Sequence, residues 1–156
     1  MDKKTESGKE LKVSAIENGT VIDHIPSKSV FTVIKILKLD EINDQILFGT
    51  NLESKKYGTK GIIKVKNRIF KQEEINKIAL VAPKATIIVI KDYNIVEKKT
   101  VTVPDNVTKI VKCINPNCIS NHENIVTRFK VIDKEEISLL CHYCEKITDK
   151  RNITFI

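Results

Sequence analysis

Cys113-Ile114-Asn115-Pro116-Asn117-Cys118 and Cys141-His142-Tyr143-Cys144 hold all four cysteines of the chain, as a C-x4-C pair and a C-x2-C pair. This spacing writes a four-thiolate zinc site, because a tetrahedral ion with Zn–S bonds of about 2.3 Å needs each pair of sulfurs on one tight turn. Asn115, Pro116 and Asn117 are turn formers suited to the first knuckle. Three other uses of the cysteines stand beside zinc. Disulfides suit a secreted chain, but Met1 to Glu10 is polar and charged and carries no secretory signal. A redox pair opens a helix, whereas Cys141 follows the strand-like Ile137-Ser138-Leu139-Leu140. Iron takes the same four thiolates as zinc. A structural ion, one per chain, is the leading expectation, with His122 and His142 outside its ligand set.

Around this stretch the C-terminal third reads as short strands: Thr108 to Lys112, Thr127 to Ile132, Ile137 to Leu140 and Asn152 to Ile156. A β-rich unit of about fifty residues lies near the lower size limit for an unaided core, so a metal would complete it. Pro104-Asp105-Asn106 is a polar break, which places a boundary between a domain over 11–103 and a zinc-ribbon-like domain over 104–156. Residues 1–10 have almost no apolar side chain and are expected to form a mobile tail.

In the first domain, Leu11 to Ile16 alternates as a strand, and Thr20 to Ile25 is a second extended piece stopped by Pro26. Ser27 or Ser29 is placed to cap a helix whose apolar face is Val30, Val33, Ile34 and Leu37. Gln45 to Leu52 and Ile62 to Val65 read as strands around a turn at Lys55 to Gly61. Gln72-Glu73-Glu74 opens a second helix ended by Pro83, and Ala85 to Ile90 is an aliphatic run typical of a buried strand. After Asp92-Tyr93-Asn94 the last strand is Ile95 to Val103. The predicted class is α+β: a ferredoxin-like antiparallel sheet with two helices on one face, with room for an additional strand, followed by the small β-rich domain.

Composition narrows the function. The chain has 156 residues, 41% hydrophobic and 30% charged, with a net charge of +7. That balance suits an anionic partner, although the lysines are scattered and equally describe a solvated surface. No apolar run approaches bilayer length, so the expectation is a soluble, cytoplasmic protein without a membrane partner. Only five glycines are present, and neither a phosphate-cradling glycine loop nor a nucleophile elbow occurs. The chain reads as a binding protein and not an enzyme.

Three motifs then carry a resemblance: Thr20-Val21-Ile22-Asp23-His24-Ile25-Pro26, Leu80-x-Ala82-Pro83-x-Ala85-Thr86, and Cys113-x-Asn115-x-x-Cys118-Ile119-Ser120 with Leu140-Cys141-x-Tyr143-Cys144-Glu145. In order and over nearly the whole chain they resemble the regulatory chain of aspartate carbamoyltransferase. The resemblance implies a non-catalytic subunit of pyrimidine biosynthesis. Its N-terminal domain would dimerise and bind ATP and CTP, with UTP assisting in some members, and its zinc domain would dock onto the catalytic chain. By matched position, Val13, Ala15 and Ile16 would line the base pocket, Ile90 and Tyr93 would offer backbone contacts to the base, and Ile95 would pack nearby. Asp23 would accept from ribose hydroxyls, His24 would approach phosphate, Lys64 would meet sugar and phosphate, and Lys98 would pair with the triphosphate. Cys113, Cys118, Cys141 and Cys144 would hold the metal. Lys60 rivals Lys64 as a phosphate partner. Two positions depart from the family pattern, Ser14 in place of an acid and Ile88 in place of a polar asparagine. Adjacent strand residues point to opposite faces, so Asp23 and His24 can share a site only where the strand ends or bulges. The reading from a different class is a nucleic-acid-binding zinc ribbon. Against it, Phe31, Phe48 and Phe70 are spread over separate elements instead of pairing as a base-stacking platform.

Overall fold

The computed structural model describes residues 15–156. The N-terminal half runs β1 (Gly19–Ile25), α1 (Val30–Ile36), β2 (Ile46–Ser54), β3 (Gly58–Lys66), α2 (Gln72–Val81), β4 (Thr86–Lys91) and β5 (Asn94–Thr100). Its five strands form one antiparallel sheet in the order β2-β3-β1-β4-β5. This is the split βαβ arrangement with one added strand at the β4 edge. Residues 11–14 lie outside the described part, and Ala15 and Ile16 belong to no strand.

The alternation of side chains sorts the sheet into two faces. Ile22, Ile63, Val65 and Ile87 join Val30, Val33, Leu37, Ile75, Ile78 and Ala79 of the helical layer in the main core. On the other face Ile16, Val21 and Ile62 form a separate buried cluster, with Leu52, Ile88 and Ile90 packed on it. Central strand β1 is thus apolar on both faces, which is why Thr20 is fully buried and its hydroxyl donates to the Arg68 carbonyl at 2.6 Å.

Details of the elements differ from expectation for local reasons. Neither serine hydroxyl caps α1; Ser27 donates instead to Thr59 Oγ1, and a 3-10 turn at Ser27–Ser29 leads into the helix. Gly61 faces Ile25 across the β1–β3 ladder, and a methyl group there would run into the Val30 side chain, so the glycine sets how closely α1 lies on β3. The turn between β2 and β3 shrinks to residues 55–57, closed by Gly58 at φ +79°. Strand β5 stops at Thr100 because Val101 and Val103 turn inward and are buried.

The C-terminal part contains β6 (Asn106–Thr108), β7 (Val111–Lys112), β8 (Arg128–Asp133), β9 (Ser138–Cys141), β10 (Ile147–Asp149) and β11 (Thr154–Phe155). One sheet has the order β10-β9-β8-β6, and β7 pairs with β11. The predicted strand over Thr108 to Lys112 is broken into β6 and β7 at Lys109, which adopts φ +68°. Ile137 takes φ +56° while fully buried, so it closes the β8–β9 hairpin instead of opening β9. The buried core is continuous between the two parts, running from Leu80 and Val81 through Val101, Val103, Val107 and Ile110 to Phe129, Leu139 and the cysteines. No helix among the described residues is long and apolar enough to cross a membrane.

Candidate functional site

The TVIDHIP stretch forms β1 and its exit, and the β1–β3 register shifts between Ile22 and Ile25. His24 sits at that bulge with φ +58°, a left-handed conformation that histidine adopts more readily than branched residues. The bulge breaks the alternation that would otherwise send the neighbouring Asp23 and His24 side chains to opposite faces. Asp23 Oδ1 accepts from the His24 amide at 2.6 Å and pairs with Lys60 Nζ at 2.8 Å. Both side chains are largely shielded, with Lys60 21% and Asp23 15% exposed, so this pair is a fixed feature of the sheet face. His24 Nδ1 lies 3.3 Å from Thr86 Oγ1, and its ring meets Tyr57 edge-on at 5.8 Å.

The remaining residues expected at the effector site fall on the same face by register. Lys64, Val21, Ile88 and Lys98 lie side by side across β3, β1, β4 and β5, and the Asp23, Thr86 and Thr100 row follows toward the bulge. In the opposite direction Gly19 faces Ile90, which faces Ile95. Tyr93, at φ +63° in the β4–β5 turn, donates its amide to the Glu17 carbonyl at 2.9 Å, and the Asp92 amide donates to the Asn18 side chain. These bonds tie the segment carrying Ala15 and Ile16 to the turn carrying Tyr93. Ile16 is buried against Val21 and Ile62, whereas Ala15, Tyr93, Ile95 and Lys98 are exposed. Val13 and Ser14 lie outside the described residues. Ile88 places an apolar side chain between Val21 and Lys98.

The cysteines converge at the other end of the molecule. Their four sulfurs lie within 4.8 Å of one another, with Cys113–Cys144 at 3.6 Å and Cys118–Cys141 at 3.7 Å. A tetrahedron of thiolates about 2.3 Å from a central ion has edges of about 3.8 Å, so the donors fit such an ion. All four are free cysteines. Burial pushes the Cys113 thiol up to about 12 and raises Cys141 as well. For Cys144 burial pushes upward, but the Lys146 amide, the Asn115 side chain and the neighbouring Cys113 and Cys141 sulfurs bring it down to about 7. A cation binding here must displace the protons that burial favours on Cys113 and Cys141. Asn121 braces the first knuckle, its side-chain amide donating to the carbonyls of Cys113 at 3.0 Å and Asn115 at 2.7 Å. The Tyr143 hydroxyl donates to the Val126 carbonyl at 2.6 Å and holds the second knuckle.

Sequence reasoning missed Asn121, Thr86 and Tyr57. Thr86 was quoted within a motif, but its contact with His24 spans 62 residues and has no local signal. Asn121 follows the knuckle as one polar residue among several.

Two family models match the chain in succession. The family model for the allosteric domain of the aspartate carbamoyltransferase regulatory chain matches residues 11–102, and the model for its metal-binding domain matches residues 105–154. The regulatory chain of Bacteroides fragilis is 50% identical over 152 residues, covering 97% of this chain and 99% of its own. That of Pyrococcus abyssi is 51% identical over 146 residues, covering 92% and 96% respectively. That of Parabacteroides distasonis is 49% identical over 148 residues, covering 95% and 96%. A sheet-and-helix domain with a polar bulge on its open face, joined to a four-cysteine domain, is therefore more than a likeness: the chain belongs to the aspartate carbamoyltransferase regulatory-chain family and is a non-catalytic chain with an allosteric and a metal-binding domain.

Proposed function

We propose that the chain binds ATP and CTP, with UTP assisting CTP, on the open face of its five-stranded sheet and carries their effect to aspartate carbamoyltransferase catalytic chains in the cytoplasm. The observation that carries this reading is the bulge at His24, which puts a carboxylate, an imidazole and the Lys60 ammonium together beside the apolar cluster of Ile16, Val21 and Ile62. A carboxylate suits vicinal ribose hydroxyls, and cations suit phosphate. The base would lie toward Ile16, Ile90, Tyr93 and Ile95, the sugar at Asp23, and the phosphates toward His24, Lys64 and Lys98. Binding by Asp23 would compete with its pairing to Lys60, so the lysine is freed for phosphate as the ribose docks.

Zinc is the metal we assign to Cys113, Cys118, Cys141 and Cys144; four thiolates leave it no open position, so it supplies a cross-link and no catalysis. The cross-linked domain, residues 104–156, would dock onto the catalytic chain, and residues 11–103 would pair with a second copy. Strand β2 is an open sheet edge flanked by the exposed aromatic pair Phe31 and Phe48, with ring centroids 5.6 Å apart, which supports pairing there. The relay between the domains runs through the continuous core, where Ile153 and Phe155 pack against the buried set that includes Leu80 and Val81. A nucleotide can regulate only by binding two arrangements of this assembly with different affinity. Calorimetric titration of the zinc-loaded chain with ATP, CTP and UTP tests the reading. Binding that weakens about tenfold in Asp23→Ala supports it, in keeping with loss of a charge-assisted hydrogen bond. No binding by the wild-type chain contradicts it.

A further inference from the structure

Beyond the bulge lies a group of residues that the function described so far does not use. The β2–β3 turn brings Lys56 and Tyr57 against the loop after α2, which brings Lys84. Lys56 Nζ stands 5.3 Å and Lys84 Nζ 5.9 Å from the centre of the Tyr57 ring, and the same ring receives the His24 edge at 5.8 Å. Two clefts of about 410 Å³ each meet at this point, and His24, Tyr57 and Lys84 line both.

Two ammonium groups gathered on one ring repel each other, and a counter-ion normally offsets that cost. Here no acid does so: the ion pairs of the described residues include neither Lys56 nor Lys84, and the nearby Asp23 is already matched by Lys60. The ring attracts both cations through its quadrupole without neutralising them, and only weakly because the contacts are exposed. The outcome is a positive patch in which no acid among the described residues is paired to either lysine.

Its position gives it a use. From Ile90 to Thr86 strand β4 advances about 13 Å at ~3.3 Å per residue, passing the row of Lys98 and reaching the row of Asp23. His24 and then Tyr57 continue in that direction. We infer that Lys56 and Lys84, positioned by Tyr57, clamp the terminal phosphates of a bound nucleotide and so select triphosphates over monophosphates. The inference rests on the nucleotide reading above and extends it past His24. A monophosphate ends near Asp23 and His24 and does not reach the two lysines, while each further phosphate adds charge where they stand. The selection weakens as salt rises, because both lysines are exposed.

The test is calorimetric titration of the full, zinc-loaded chain with CMP, CDP and CTP at one ionic strength. Wild type is compared with the double variant Lys56→Gln/Lys84→Gln and with Tyr57→Phe. The expected result is that the double variant loses about tenfold or more in CTP affinity while CMP affinity stays within about twofold, as suits loss of charge-assisted contacts to the distal phosphates only. Tyr57→Phe keeps the ring and retains the wild-type ratio. Equal losses for CMP and CTP, or none for either, would overturn the clamp and leave the nucleotide reading standing. Failure of the wild-type chain to bind any of the three would remove that reading and the clamp with it.

Discussion

His24 stands at the β1 bulge in an uncommon backbone conformation, φ +58°. A left-handed φ costs an ordinary residue roughly 1–2 kcal/mol, and more for a branched one. Substituting His24→Val should therefore lower stability by about 1–2 kcal/mol, whereas His24→Asn, which tolerates that conformation, should keep the fold while weakening nucleotide binding. Thermal unfolding and calorimetry on the same samples separate the two effects. Asn121 plays the matching part at the metal. Asn121→Ala removes two hydrogen bonds to knuckle carbonyls, at a cost of about 1–3 kcal/mol, and should speed metal transfer to a chromogenic chelator without changing the stoichiometry of one ion per chain. Neither role was legible from residues alone. That Asp23 and His24 can share a site only where the strand ends or bulges followed from strand geometry, but the choice of a bulge over an end shows only in the pairing of β1 with β3.

At the scale of elements, the strands and helices of the first domain were readable because their apolar periods agree with their final burial. Val30 and Val33 are buried on α1 and Leu37 just after it, and Ile75, Ile78 and Ala79 on α2. The ends were less readable, since they depend on tertiary packing: β5 stops where Val101 and Val103 turn into a core that unites both domains. The α1–β3 approach gives a sharp check. Gly61→Ala should destabilise the fold by about 1–3 kcal/mol through overpacking against Val30, measured by denaturant titration with an unchanged m-value. The cysteine element makes a prediction in pH. In the metal-free cluster Cys113 is pushed up to about 12 and Cys141 is raised, so both are protonated near neutrality, while Cys144 lies at about 7. Metal binding must expel these protons, and its affinity should fall as pH falls, with more than one proton released per ion at pH ~7. Chelator competition across pH measures that slope; a flat profile would mean the thiols are not the ligands.

For the whole molecule, the clustering of the four cysteines was visible in the motifs, because each pair is local in sequence. What was not visible is that the two domains share one buried core, so a change on the sheet face has packed side chains through which to reach the cysteine domain. If the metal-loaded domain is the docking surface, chelation should release the catalytic chain from the assembly, which sedimentation would show as separate catalytic and regulatory species. The proposed function requires that nucleotide and catalytic sites be thermodynamically coupled through this chain. The decisive measurement is the CTP affinity of the reconstituted assembly, with its catalytic sites empty and then filled by substrate analogues. The two affinities should differ by about fivefold or more, the usual lower range of allosteric coupling. The same affinity in both states would contradict it, even if the nucleotide bound tightly.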